Sequence, residues 1–285
     1  MDQAVTLMKY AQANPAARET RVISVSSGKG GVGKTNSVVN LAIAFTRMGK
    51  RVLLLDADLG LGNLDVLLGL APRYNIGHLL RGERNIKEVL ADGPGGIKIL
   101  PASSGVQELT SLSAEERLAL ASHLETLESE FDVMIIDTGA GISDNVLFFN
   151  MAAQEIMVVV TPEPTSITDA YALMKVLLHK HGERRFKLLV NEARNRKEGI
   201  EVYRKISLAA ERFLSISVEY VGCVLLDENV QKSVARQKAV MELFPGSKAC
   251  QCYEEIAREI SEAPAEGALK GGMQFFWRQF LDRNI

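Results

Sequence analysis

Gly28-Lys29-Gly30-Gly31-Val32-Gly33-Lys34-Thr35 packs four glycines, two lysines and a threonine into eight residues. Glycines at this spacing let successive backbone N–H groups turn inward around a polyphosphate. Lys34 is placed to reach the β- and γ-phosphates, and the Thr35 hydroxyl suits a magnesium ion. An apolar run, Arg21 to Ser26, precedes the loop. A helix-like run beginning at Asn36 and ending at Met48 follows it. Strand, glycine loop and helix in that order aim the positive end of a helix dipole at the phosphates. The chemistry this predicts is binding and hydrolysis of a nucleoside triphosphate.

Two further apolar runs end in acids. Arg51-Val52-Leu53-Leu54-Leu55-Asp56-Ala57-Asp58 and Phe131-Asp132-Val133-Met134-Ile135-Ile136-Asp137 both read as parallel strands buried on both faces. In open α/β sheets ligands bind at the carboxyl ends of strands. Asp56, Asp58 and Asp137 therefore fall where a magnesium nucleotide and an attacking water would sit, although an acid at a strand end also serves as a helix cap. Gly139 to Gly141 form a flexible turn suited to sensing a terminal phosphate.

The elements that must position these residues are legible in the same way. Candidate strands 21–26, 51–56, 97–101, 131–137, 155–161, 186–191 and 218–224 alternate with helical stretches 34–48, 113–129, 143–153, 165–181, 197–214 and 249–261. This alternation predicts an α/β fold, a three-layer P-loop NTPase with a mostly parallel sheet and helices on both faces. The 285 residues have 47% hydrophobic content, enough for one substantial core, and a net charge of −2, which supplies no global pull toward nucleic acid or anionic lipid. Arg194, Arg196 and Lys197, with Glu192 and Glu198 beside them, read as a solvated face, so no direct nucleic-acid partner is expected. No apolar stretch reaches spanning length and no basic-then-apolar leader is visible, which predicts a cytoplasmic chain. Cys223, Cys250 and Cys252 do not suggest a disulfide framework.

With its second lysine the loop resembles that of the deviant Walker-A ATPases, whose "KGGxGKT" carries a signature lysine. The resemblance implies a homodimer sandwiching two ATP molecules, with Lys29 crossing to the partner's phosphates. Asp56-Ala57-Asp58-Leu59-Gly60-Leu61-Gly62-Asn63-Leu64-Asp65 closely resembles the "DxDxGLxNLD" switch of MinD-like members. It implies that Asp58 orients the attacking water, that Asp137 is the Walker-B aspartate, and that Thr35, Asp56 and Asp137 serve Mg2+. The nucleotide-binding set so implied is Gly28, Lys29, Gly30, Gly31, Val32, Gly33, Lys34, Thr35 and Asn36. Asn191, ending the strand Lys187-Leu188-Leu189-Val190-Asn191, would join it at the adenine. The Glu192-Ala193 that follows does not read guanine, so ATP is the expected nucleotide. Leu226 and Asp227 lie in a loop that borders the adenine in relatives, although Asp227 also fits a helix cap.

The two ends select a branch of the family. Met273, Phe276, Trp277, Phe280 and Leu281 share one helical face, with Gly271 and Gly272 as a hinge. That pattern suits either an amphipathic helix lying in an anionic membrane surface or a helix docked on the protein's own core. At the other end Ala4, Leu7, Met8 and Ala11 form a short helical stripe. Asp2, Gln3, Ala4 and Leu7 match the "DQAxxL" segment of the FlhG (FleN) family, MinD-like ATPases of flagellar number and placement, with Lys9 a departure from the arginine frequent just after the leucine. The resemblance implies an FlhF-type GTPase, flagellar C-ring or switch proteins and a flagellar transcription activator as partners. It divides the chain into a partner-binding segment 1–20, an ATPase domain 21–261, and a linker with membrane helix 262–285. A MinD-type cell-division regulator, a DNA-partition ATPase and a metal-cluster carrier remain the alternatives, and the carrier would use Cys250 and Cys252.

Overall fold

A computed structural model describes residues 20–60, 62–102 and 112–264. The proposed partner-binding residues Asp2, Gln3, Ala4 and Leu7, the proposed membrane-facing residues Met273, Phe276, Trp277, Phe280 and Leu281, and Leu61 of the switch run lie outside the described residues.

Among the described residues the chain builds one eight-stranded sheet. The strands are β1 (Arg21–Ser27), β2 (Val52–Ala57), β3 (Ala91–Asp92), β4 (Lys98–Leu100), β5 (Val133–Ala140), β6 (Glu155–Val160), β7 (Arg185–Ala193) and β8 (Ser217–Leu225). Their order across the sheet is β3-β4-β2-β5-β1-β6-β7-β8. Every pairing is parallel except β3 against β4. β1 sits between β5 and β6, and its loop opens where successive connections leave to opposite sides, the position that forms a ligand crevice in such sheets.

Alternation along the strands explains the layers. Ile23 and Val25 of β1, Val133 and Ile135 of β5, and Met157 and Val159 of β6 pack with α1 (Lys34–Arg47) and Tyr253, Ile256 and Ile260, late in the chain. Their neighbours Met134 and Ile136 face the opposite way, with Phe148 and Phe149. Ile156, Val158 and Val160 also face that way, against Ala170, Leu173 and Leu177.

The helices between β2 and β6 are α2 (Leu64–Leu68), α3 (Ile76–Leu80), α4 (Ile86–Val89), α5 (Ala114–Glu125) and α6 (Asp144–Met151). They are followed by α7 (Pro164–His181), α8 (Arg196–Leu214), α9 (Glu228–Val234), α10 (Val240–Leu243) and α11 (Lys248–Glu262). The long strands and helices lie where the sequence places them. β3 and the helices of four to seven residues, α2, α3, α4, α9 and α10, are additions. Each is too short to show a period, and α3 and α4 are instead defined by capping boxes, Asn75 with His78 and Asn85 with Glu88.

Candidate functional site

The loop from Gly28 to Gly33 leaves the carboxyl end of β1 and enters α1 at Lys34. No acid occupies the first turn of α1, which leaves the positive end of its dipole uncompensated. Gly33 holds a left-handed backbone, φ 78°, and a side-chain carbon on it would come within 2.2 Å of Asn191 Nδ2. Glycine is therefore required there twice over, for conformation and for room. Gly28 is hemmed in likewise, because a side chain would strike the Asp169 carbonyl of α7. The loop is thus clasped between α7 and Asn191, whose amide donates to the Val32 carbonyl at 2.9 Å.

Beneath the loop lies a buried cluster of charge. Lys34 Nζ donates to Asp137 Oδ1 at 2.5 Å, with Lys34 9% and Asp137 2% exposed. Asp56 lies level with Asp137 on the adjacent strand and is equally buried. Burial, reinforced by the Asp137 carboxylate, pushes the Asp56 carboxyl up to about 8. Its oxygens accept from the Asp58 N–H at 3.2 Å and the Leu64 N–H at 3.3 Å, so Asp56 also tethers the start of α2. Asp58 stands beside Gly139, where a carbon would lie 3.5 Å from Asp58 Oδ1; Gly139 and Ala140 belong to β5, paired through Ala140 to Ser27, where the sequence placed a flexible turn. Two buried carboxylates facing one ammonium lack positive charge. A divalent cation would supply it, and the hard oxygen donors of Asp56, Asp137 and the half-buried Thr35 are of the kind that suits Mg2+.

Lys29 points elsewhere in this single chain. Its Nζ lies 2.9 Å from Glu163 Oε2 and 3.1 Å from Thr165 Oγ1, at the start of α7. Glu163 and Thr165 were not singled out from sequence, although both follow the carboxyl end of a predicted strand and that position was the available signal.

A shallow pocket flanks the loop, lined by Gly33, Asn36, Asn191, Leu226 and Asp227, and also by Glu192, Gln231 and Tyr253, which the sequence did not single out. Glu192 has φ 57°, a left-handed backbone that glutamate seldom adopts. Burial, with Glu163 nearby, raises its carboxyl pKa. Leu226 is more than half exposed. Asp227 does act as a cap: it accepts from Asn229 N at 2.9 Å and from Ala249 N at 3.2 Å.

Cys250 and Cys252 are core side chains of α11. Burial raises both thiol pKa values, and Cys250 Sγ donates to the Phe244 carbonyl. Among the described residues no group of three or more His, Cys, Asp or Glu side chains that could hold a metal ion exists, and no helix is long and apolar enough to cross a membrane. Arg194, Arg196 and Lys197 are exposed; Arg194 pairs with Glu198 and Arg196 with Glu255.

A parallel sheet with a glycine loop at the switch in strand order and acids at the neighbouring strand ends defines a P-loop nucleotide-binding protein. Residues 20–188 match the family described as "AAA domain". The chain is 45% identical over 256 residues to Antiactivator FleN of Pseudomonas aeruginosa, covering 90% of this chain and 91% of that protein. It is 33% identical to the flagellum site-determining protein YlxH of Helicobacter pylori, covering 92% and 90%. Its fold is similar to that of the septum site-determining protein MinD from Pyrococcus horikoshii, whose structure is a complex with Mg-ADP: TM-score 0.71 at 24% identity, over 85% of this chain and 96% of that one. The chain belongs to the FleN (FlhG) family of MinD-like, ATP-binding ATPases.

Proposed function

We propose that this protein is a Mg2+-dependent ATPase switch that dimerises with ATP, associates reversibly with the cytoplasmic face of the membrane and regulates flagellar number or placement. The observation that carries the reading is the lysine pair of the loop. Lys34 is buried under the phosphate position, and Lys29 sits on the rim, held by an exposed partner, Glu163, that it can exchange for phosphate. The likeness to an antiactivator and a flagellum site-determining protein supports the flagellar role.

In this reading Lys34 turns from Asp137 to the β- and γ-phosphates as ATP enters. Thr35, Asp56 and Asp137 would hold Mg2+, and the ion when bound would supply positive charge for the transferring phosphoryl group. The N–H groups of Gly30, Gly31 and Gly33 line the phosphates, while Asn36, Asn191, Leu226 and Asp227 border the base. Asp58 orients the attacking water. Lys29 leaves Glu163 and crosses to the partner's nucleotide, which makes hydrolysis slow and dependent on dimerisation.

The ATPase domain spans 21–261. The segment 1–20 engages an FlhF-type GTPase, and the segment 262–285 targets an anionic membrane surface through Met273, Phe276, Trp277, Phe280 and Leu281. C-ring or switch proteins and a flagellar transcription activator complete the partner set.

ATP hydrolysis and molecular mass in ADP and in ATP, with and without liposomes, test the reading on wild type, Lys29→Ala and Asp58→Ala. The expected result is an ATP-dependent wild-type dimer that binds lipid, an Asp58→Ala dimer without turnover, and a Lys29→Ala monomer without turnover. A monomer that hydrolyses ATP without Lys29 would remove the sandwich mechanism.

A further inference from the structure

On the face that β1 turns toward α6, the neighbouring strand β5 presents Met134 and Ile136, whereas β1 presents Ser24 and Ser26, both with no exposed surface. Buried hydroxyls are costly unless bonded, and both are bonded to one side chain, Asn150 near the end of α6, which is also fully buried. Ser24 Oγ donates to Asn150 Oδ1 at 3.0 Å. Ser26 Oγ lies 3.0 Å from the same oxygen and accepts from Asn150 Nδ2 at 2.8 Å. The second Nδ2 proton goes to the Val146 carbonyl at 2.7 Å. Ser26 Oγ is in turn 2.6 Å from Thr138 Oγ1, and Thr138 Oγ1 reaches the Val25 carbonyl at 3.1 Å and the Gly139 carbonyl at 2.9 Å.

An irregularity in the sheet falls at the same place. Val25 pairs with Asp137, but Ser27 pairs with Ala140, so β5 carries one more residue than β1 across Thr138 and Gly139. Such bulges re-aim the chain beside active sites. The hydroxyl cluster bridges this one and ties the strand leading into the phosphate loop to the end of β5 beside Asp58.

Proton counting gives the cluster two arrangements. Each hydroxyl has one proton to donate. In one arrangement Thr138 donates to Ser26 and Ser26 to Asn150. In the other Ser26 donates to Thr138 and Thr138 to either the Gly139 or the Val25 carbonyl, and only the bond to Gly139 grips the bulged end of β5.

We propose that Asn150 is a positioning residue for ATP hydrolysis, holding Gly139, in the bulged carboxyl end of β5, beside Asp58 through Ser26 and Thr138. The proposal rests on the reading of Asp58 as the group that orients water. It adds a control over that geometry from the buried side of α6, with no contact to nucleotide.

Steady-state hydrolysis and melting temperature of the full chain decide it, using wild type, Asn150→Leu, Thr138→Val, Thr138→Ser and, as a packing control, Phe149→Leu. Asn150→Leu and Thr138→Val are expected to lower kcat on the order of tenfold or more with KM little changed, because misplacing a group that never binds substrate affects turnover alone. Thr138→Ser, which restores the hydroxyl, recovers most of the loss relative to Thr138→Val. Phe149→Leu lowers the melting temperature and keeps kcat. Wild-type kcat in Asn150→Leu and Thr138→Val overturns the proposal, as does a loss of kcat that only tracks melting temperature across all variants. If Asn150→Leu does not fold, the two Thr138 variants decide. A wild type without ATP hydrolysis overturns the underlying reading and this proposal with it, whereas normal wild-type turnover with indifferent variants overturns the proposal alone.

Discussion

At the amino end of the sheet Arg21 and Lys187 meet Glu155 and Glu219. Arg21 lies 2.6 Å and 3.0 Å from the two Glu155 oxygens, while Lys187 lies 3.6 Å from Glu155 and 2.5 Å from Glu219. At the carboxyl end Lys34 meets Asp137 and Asp56. Both clusters have a buried centre, Glu155 with Lys187 in one and Asp56 with Asp137 in the other, yet the first balances two cations with two anions, one of them the partly exposed Glu219, and the second sets one cation against two. The contrast separates two uses of buried charge. A balanced set is satisfied within the fold. An unbalanced one leaves a carboxyl held above its ordinary range and a lysine with an alternative partner to reach, which is the condition for responding to a ligand.

The sharpest way to break this contrast is Lys34→Ala. Removing the one cation from the deficient end should cut hydrolysis about a thousandfold, the scale for losing a preorganised charge at a transferring phosphoryl group, while unfolding in urea changes less. Phosphate release by folded protein is the measurement.

Glu155→Gln tests the other end. Leaving Arg21 and the buried Lys187 without their shared carboxylate should cost about 3 kcal/mol in urea unfolding, while the turnover of molecules that remain folded stays at the wild-type value.

Asp56→Asn refines the comparison. Asp56 titrates near 8 in the folded chain against an ordinary 3.8, so the folded state holds the proton over a range where the unfolded chain has lost it. Stability of the nucleotide-free protein therefore falls as pH rises from about 4 through about 8 and levels off above. Asp56→Asn should remove that slope, stabilise the protein at about pH 9 by on the order of 2 kcal/mol, and abolish Mg2+-stimulated hydrolysis. A wild-type stability curve that rises with pH across that range would show that Asp56 carries no such burden.

How far each end was legible follows from what its residues do locally. The glycine loop, the strands ending in Asp56 and Asp137, and the alternation of buried strands and amphipathic helices announce themselves within short windows, because each meets a local backbone or burial requirement. Glu163 did not, since a glutamate before Pro164 reads as a solvated helix start and its partner Lys29 is 134 positions away in sequence. Asn150 was hidden differently. Inside the apolar run Val146 to Met151 it looks like an interruption of the core face, and its strand partners Ser24 and Ser26 lie more than a hundred positions away in sequence. The short helices were obscured by length, and the Asp227 cap stayed ambiguous because a cap and a base contact ask for the same residue type.

Arg21 has a mechanical consequence as well. Besides Glu155 it holds the carbonyls of Ile260 and Ala263, so the first residue of β1 and the last turn of α11 are riveted together. The chain enters and leaves the described body at one pole, and the phosphate loop opens at the other. The seven residues of β1 separate the two by roughly 20 Å. Any displacement at the loop must be carried along a stiff, fully packed strand before it is felt at the exits. β1 thus acts as a push-rod, and its rigidity sets how faithfully one pole can report on the other.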